Sequence, residues 1–538
     1  MSEEPSATGA GRGVLYIAFA KFYFMFAGLF VQIRLPAILS RAAFGSYSLV
    51  SSIASFANNV VVTGTIQTVS RFSAQEPGKA RALEAAGLRM HVRIGLPIAI
   101  GFVAAAPLIS EFVLLDSSKT APLMLAGLII GGYSFYAVFV GTANGLRQFH
   151  KQAGLDVTFA TLRVAGLIGM AMAGLGVVGV IGGWVAAVAI ILCAAVVWVG
   201  LPKSDKSGEG GAKSIERLPV KPLVRYFLGV AVYLTLFNAL MFIDSLLIKR
   251  SMTLYFDDHV RELRAAIDRL PWAARVTGYH HDSSLLADVQ NAYYAAVQNL
   301  ARLSYQAIIA ATFVIFPLVS RSTFAEDQET TRGYIRVTSR YSLIFAMAIS
   351  TVMAANPADV LGLVYAEDYV ELGASALVPL ALGNVAFSVF AINGTILNGA
   401  GLTRQAIGIA AVTVATSLVG NWIAIPLGAE TGHVLEVAAT VTGSAMVVGA
   451  IASSWMLHRK FGAAIPLLSI VRIAIATGCA MAVGRVLPLH GKLMTLVEAV
   501  VVGLTFLVVL VATRELDKRD LQAIKALRKK RAPGEGAT

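Results

Sequence analysis

Inside the long apolar runs of this 538-residue chain stand a few side chains that lipid does not tolerate alone. Lys21 and Arg34 fall in the first run, Arg163 in the fifth, Asp244 in the seventh and Arg302 in the eighth. An ionisable group in mid-span costs roughly 2.5–3.5 kcal/mol on insertion scales, so each is expected to face a partner or water. Amides accompany them: Gln32, Asn58, Asn59 and Gln67 early in the chain, and Asn238, Gln298, Asn299 and Gln306 after the middle. Gln298, Arg302 and Gln306 recur every fourth position and share one helix face. Lys21 and Gln32 lie about three turns apart, also near one face. The inference is a cationic chamber in a low-dielectric wall, with Asp244 as its main carboxylate and ion-coupling or gating residue. Such a chamber holds an anion, and diphosphate is the membrane-borne anion that fits. Each residue has a plainer reading beside this one. Arg34, Arg163 and Lys21 could snorkel to an interface, and Asp244 with Arg302 could form a structural ion pair.

The elements that must position these groups are read from composition and run length. Hydrophobic residues make up 57% of the chain and charged ones 14%, against about 25% charged in soluble domains. Fourteen runs are long enough to span a bilayer. Six lie at 14–38, 46–69, 92–115, 122–145, 157–175 and 177–200. Six more follow at 226–248, 292–319, 341–357, 374–398, 406–427 and 433–457, and a last pair at 471–488 and 493–512. The expected protein is all-α and polytopic. Residues 1–13 form a tail, 14–200 one lobe, 226–457 a second lobe, 471–512 an extra helix pair and 513–538 a basic tail. The polar stretch 201–225 reads as a linker, and 251–290 as an insert containing an amphipathic segment from Asp258 to Leu270.

Two six-helix lobes are expected to be pseudo-symmetric, because local patterns recur about 250 residues apart. Gly141-Thr142-Ala143-Asn144-Gly145 closes the fourth run, and Gly394-Thr395-Ile396-Leu397-Asn398-Gly399 closes the tenth. Ser70-Arg71 and Ser320-Arg321 end the second and eighth. Basic residues crowd alternate loops, from Arg71 and Arg147 to the tail ending Arg528-Lys529-Lys530-Arg531. The opposite loops hold little besides Lys119 and Lys492, so both termini are expected in the cytoplasm. The insert is the exception, and long segments cross regardless of charge. By the same reading the net charge of +13 records orientation and not nucleic-acid binding.

Other chemistry finds little support. Cys193 and Cys479 are too few for a disulfide framework or metal site. His259, His280 and His281 lack a supporting carboxylate or cysteine pattern. The first lobe shows Lys21 and Arg163 at depth and no carboxylate in mid-span. A glycan polymerase would need a larger extracytoplasmic loop than 251–290, so no enzyme is expected.

Ala43-Phe44-Gly45-Ser46-Tyr47-Ser48-Leu49, followed by Thr65-Ile66-Gln67-Thr68-Val69-Ser70-Arg71-Phe72, resembles the opening of Wzx-type polysaccharide-biosynthesis flippases. These belong to the multidrug/oligosaccharidyl-lipid/polysaccharide exporter superfamily. Asp244-Ser245-Leu246-Leu247-Ile248, Phe316-Pro317-Leu318-Val319-Ser320-Arg321 and Tyr365-Ala366-Glu367-Asp368-Tyr369 extend the likeness over roughly residues 14–460. The resemblance implies two lobes in a V, alternating access and a Na+ or H+ gradient as energy source, with no cofactor. It implies transfer of an undecaprenyl-diphosphate oligosaccharide from the cytoplasmic to the periplasmic leaflet of a bacterial inner membrane, with membrane lipids and a glycan polymerase complex as partners. Lys21, Arg34 and Arg302 are the positions that could make the lumen between such lobes cationic; with the span amides Gln298, Gln306, Asn58 and Asn59 they are the expected substrate-binding residues. A lipid II flippase and a cation-coupled multidrug antiporter remain alternatives.

Overall fold

The computed structural model describes residues 7–202, 217–259, 282–306, 308, 328–487 and 491–516. Helix dominates throughout, and thirteen helices among the described residues are long and apolar enough to cross a membrane. The chain is an all-α polytopic membrane protein. The 201–225 linker, the Asp258–Leu270 amphipathic segment, His280, His281, the end of the eighth run and the basic tail fall wholly or mostly outside the described residues.

The chain divides into two compact units, Met1–Asn299 with Ala406–Ala445, and Leu300–Gln405 with Met446–Thr538. In the first unit, α1 (Ala7–Ile38) turns at Ser40 into α2 (Arg41–Gln75). The Ser40 hydroxyl accepts from the Ala43 amide at 3.2 Å and so caps α2. The third run is longer than its apolar core suggested. It begins with α3 (Ala80–Arg93) and continues as α4 (Gly95–Leu108) after a kink at Ile94. Then come α5 (Thr120–Gly145), α6 (Phe149–Met172) and α7 (Gly176–Val199). Helices α6 and α7 cross where Gly166 and Gly183 meet. A Cβ on either would fall 2.3 Å from the other's carbonyl oxygen, which is how small residues let membrane helices approach.

The seventh run is not one helix. It breaks into α8 (Lys221–Ala239) and α9 (Ile243–Asp258), with Met241 and Phe242 amides bonded to Asn238 and Ala239 carbonyls across the break. No Pro or Gly marks the place; the Asn238 side chain bonds the Leu234 carbonyl at 2.8 Å. Both ends of the supposed insert are helical. Residues 251–258 prolong α9, and α10 (Ser283–Ala301) begins ahead of the eighth run.

The second unit holds the end of α10, then α11 (Gln328–Ala355), α12 (Pro357–Gly362) and α13 (Glu367–Gly399). Helices α14 (Thr403–Thr431) and α15 (Val434–Phe461) have residues in both units, and α16 (Leu467–Val486) and α17 (Lys492–Ala512) follow in the second. Helix α17 shows the inverted amphipathicity of a membrane helix. Leu493, Val497, Val500, Leu504, Val508 and Val511 are exposed, while Thr495, Glu498, Val502, Phe506 and Leu510 are buried. At its end Glu515 pairs with Arg340 of α11 at 2.7 Å and Arg472 of α16 at 3.4 Å.

The repeated motif has one local structure in both places. After α5, Leu146, Arg147 and Gln148 amides bond back to Thr142, Asn144 and Ala143. After α13, Ala400, Gly401 and Leu402 bond to Ile396, Asn398 and Leu397 in the same pattern. The turn residue is left-handed in each, Arg147 at φ 57° and Gly401 at φ 78°.

Candidate functional site

Two polar clusters in the first unit gather residues named from the sequence. The first is built on one face of α6, where Asp156, Phe159, Ala160 and Arg163 recur at helical spacing. The Lys21 ammonium of α1 bonds Asp156 Oδ2 at 2.9 Å, with side chains 36% and 13% exposed. Nearby, Tyr23 and Thr161 share a hydroxyl hydrogen bond of 2.8 Å. Phe159 packs against Phe24 of α1 and against Tyr133 and Tyr136 of α5. The Trp184 indole of α7 donates to Tyr133 Oη at 3.2 Å. Over that indole lies the Arg163 guanidinium, 4.1 Å from the ring centroid, a cation–π contact strengthened by desolvation. Tyr136 Oη and Arg163 Nε are buried without a hydrogen-bond partner.

The sequence reading placed no carboxylate in mid-span of the first lobe and did not single out Asp156, which lies just ahead of the apolar run 157–175. The most apolar stretch begins at Val157, but the helix begins at Phe149 and carries Asp156 two turns inside. Asp156 is buried and neutralises Lys21, so Arg163 supplies the excess positive charge of the cluster. The Asp156–Arg163 spacing was the available signal.

The second cluster surrounds Asp244 in the first turn of α9. Its carboxylate accepts from Tyr294 Oη at 2.7 Å, Gln298 Nε2 at 3.0 Å and the Ser245 amide at 2.8 Å. The Ser245 hydroxyl donates to Gln298 Oε1 at 3.2 Å. Asn59 donates to Asn238 at 2.9 Å, and Asn299 to Gln32 at 3.0 Å. Asn58 is buried, with neither amide atom hydrogen-bonded. Asp244 and Gln298 are thus brought together, as are Asn59 and Asn238. Lys21 and Asp244 take different partners. Arg34 is exposed on α1. Arg302 and Gln306 belong to the second unit and are partly buried there.

A third set of charges escaped the sequence reading. Lys119, which looked like a loop residue, is buried with Asp116, Lys249 and Asp288. Asp116 lies between spans. Burial would raise its carboxyl, but Lys119 and the hydroxyls of Ser118 and Ser284 outweigh that and hold it well below the usual carboxylate range. Among the described residues no group of His, Cys, Asp or Glu is arranged to hold a metal ion.

Comparison with solved structures gives close overall agreement at low identity. The lipid II flippase MurJ in an inward closed conformation matches at TM-score 0.68 and 10% identity, covering 93% of this chain and 99% of that one. The inward-facing form of a multidrug resistance MATE family transporter of the MOP superfamily matches at TM-score 0.54 and 15% identity, over 82% and 95%. A Vibrio cholerae MATE transporter matches at 0.52 and 15%, over 84% and 96%. The fold is that of these transporters. No family model matches the sequence, and no curated protein does. The neighbours are flippases and transporters, not enzymes.

Proposed function

We propose that the chain flips an anionic lipid-linked oligosaccharide, carried on undecaprenyl diphosphate, from the cytoplasmic to the periplasmic leaflet of a bacterial inner membrane by alternating access. The Lys21–Asp156 pair beside Arg163 carries this reading. A drug antiporter for cationic cargo needs a carboxylate left negative; here Asp156 already holds a resident ammonium, and the further charge beside it, Arg163, is positive. Lys21 and Arg163 meet the diphosphate, and the amides of Asn58, Asn59 and Gln298 in the same unit contact polar parts of the cargo, with Arg34 at the membrane interface; Arg302 and Gln306 of the second unit are separate candidate contacts. Asp244 acts in gating by holding the first turn of α9 to α10, and a Na+ or H+ gradient drives the cycle. Both termini are cytoplasmic by the basic-loop pattern, and a glycan polymerase is the downstream partner.

Peptidoglycan precursor is the second cargo reading, favoured by the match to a lipid II flippase over almost that whole chain. The test is flipping by purified protein in vesicles containing fluorescent undecaprenyl-diphosphate oligosaccharide or lipid II. Flipping is expected with the wild type and lost in a Lys21→Ala, Arg163→Ala double variant that still inserts. Export of a cationic dye that depends on Asp156, without flipping of either lipid, would overturn the proposal.

A further inference from the structure

The buried charges of the α4–α5 connector, α9 and the N-terminal part of α10 form a closed ring that the transport site does not use. Lys119 Nζ lies 2.6 Å from Asp116 and 2.7 Å from Asp288 Oδ2. Lys249 Nζ lies 3.3 Å from Asp116 and 2.8 Å from Asp288 Oδ1. Two hydroxyls complete the ring: Ser46 of α2 donates to Asp288 at 2.7 Å, and Ser284 of α10 donates to Asp116 while accepting from Lys249 at 2.7 Å. All four charged side chains are at most 8% exposed. The ring joins α2 and the α4–α5 connector to α9 and α10 within the first unit. Beside it the backbones touch. A Cβ on Gly45 of α2 would lie 1.8 Å from the Asp288 carbonyl oxygen, and Asn291 donates to the Gly45 carbonyl at 3.3 Å.

We propose that this ring is a releasable latch, closed in the present conformation and opened when α9 and α10 part from α2 and the α4–α5 connector. The physical ground is the cost of burying charge. Replacing a buried ion cluster by apolar side chains of similar volume is often neutral or stabilising, so four buried charges are a poor way to build a permanent brace. They suit a contact that must separate. An apolar plug loses its burial on opening, whereas charges regain hydration that offsets the pairing they lose. Gly45 sets how closely the two sides meet. The latch gives a structural form to the gating proposed above, yet its test reads opening and not cargo, so either idea can fail alone.

Ala295 lies two turns beyond Asp288 on the same face of α10 and is buried. In a Cys193→Ser, Cys479→Ser background, Ala295→Cys serves as a thiol reporter in the full-length protein in nanodiscs, where reagent reaches both faces. Labelling is expected to rise about tenfold with Gly45→Ala, which pushes the backbones apart, and with Lys249→Met, which leaves a carboxylate seeking water. The fourfold variant Asp116→Leu, Lys119→Met, Lys249→Met, Asp288→Leu is expected to label about tenfold more slowly than the parent and to melt no lower. Equal labelling in all four proteins overturns the latch. So does faster labelling or a lower melting temperature in the fourfold variant, the behaviour of a static brace. Should that variant fail to insert, the unchanged rate of Gly45→Ala alone would overturn it.

Discussion

Lys21 illustrates how one residue's meaning depends on its partner. Read along the chain it is a cation near the end of a span, equally suited to snorkelling or binding. Its 2.9 Å contact with Asp156 makes it half of a pair. Removing Lys21 alone leaves Asp156 buried and uncompensated, while removing both charges leaves nothing to satisfy. Lys21→Ala is therefore expected to cost about 1–2 kcal/mol, reduced from the fully buried case because Lys21 is partly exposed. The double variant Lys21→Ala, Asp156→Asn should recover most of that. A double-mutant cycle by unfolding in denaturing detergent checks it, and strict additivity would refute the pairing. Asp116 allows a pH prediction. Its carboxyl is depressed in the folded state, so its stabilisation is complete above the ordinary carboxylate value and is lost as pH falls through the depressed one. The stability difference between parent and Asp116→Asn should stay constant from about pH 8 to pH 5 and shrink only below about pH 4. A difference that changes near neutrality would show that another group titrates.

At the scale of elements, helix existence was legible and helix ends were not. The apolar run 157–175 announced α6, but the run's polarity and not the helix's end set the boundary at Val157, which hid Asp156. The break between α8 and α9 was hidden for a different reason. It rests on tertiary partners of Asn238 and Asp244, with no Pro or Gly to mark it. The crossing of α6 and α7 yields a direct test. Each glycine there faces the other helix's backbone, which has no rotamer through which to retreat. Gly166→Leu should lower stability by about 1–3 kcal/mol, whereas Gly169→Leu, which faces open space on the same helix, should leave it nearly unchanged. Equal melting of the two variants would argue against the packing described.

For the whole molecule, the distribution of Lys and Arg makes a prediction independent of any contact. Reporters active only in the cytoplasm should function when fused at residue 1 and at residue 538, and a reporter inserted within 251–290 should require export. Activity in the reverse pattern would invert the direction proposed for transport.

The amino-acid sequence by itself determined that the chain enters a membrane as many helices, and that a local helix-ending motif recurs in two halves. These properties are additive along the chain: insertion depends on the summed transfer energy of each apolar run, and a helix end on a few adjacent residues. Only the tertiary structure decided which polar groups meet. Asp156 finds Lys21, and Asp116, Lys119, Lys249 and Asp288 close into a ring, across 133 residues between Lys249 and Asp116. Such encounters depend on the rotation and crossing of whole helices, set by close backbone contacts like that of Gly45 on α10, which no hydropathy pattern records.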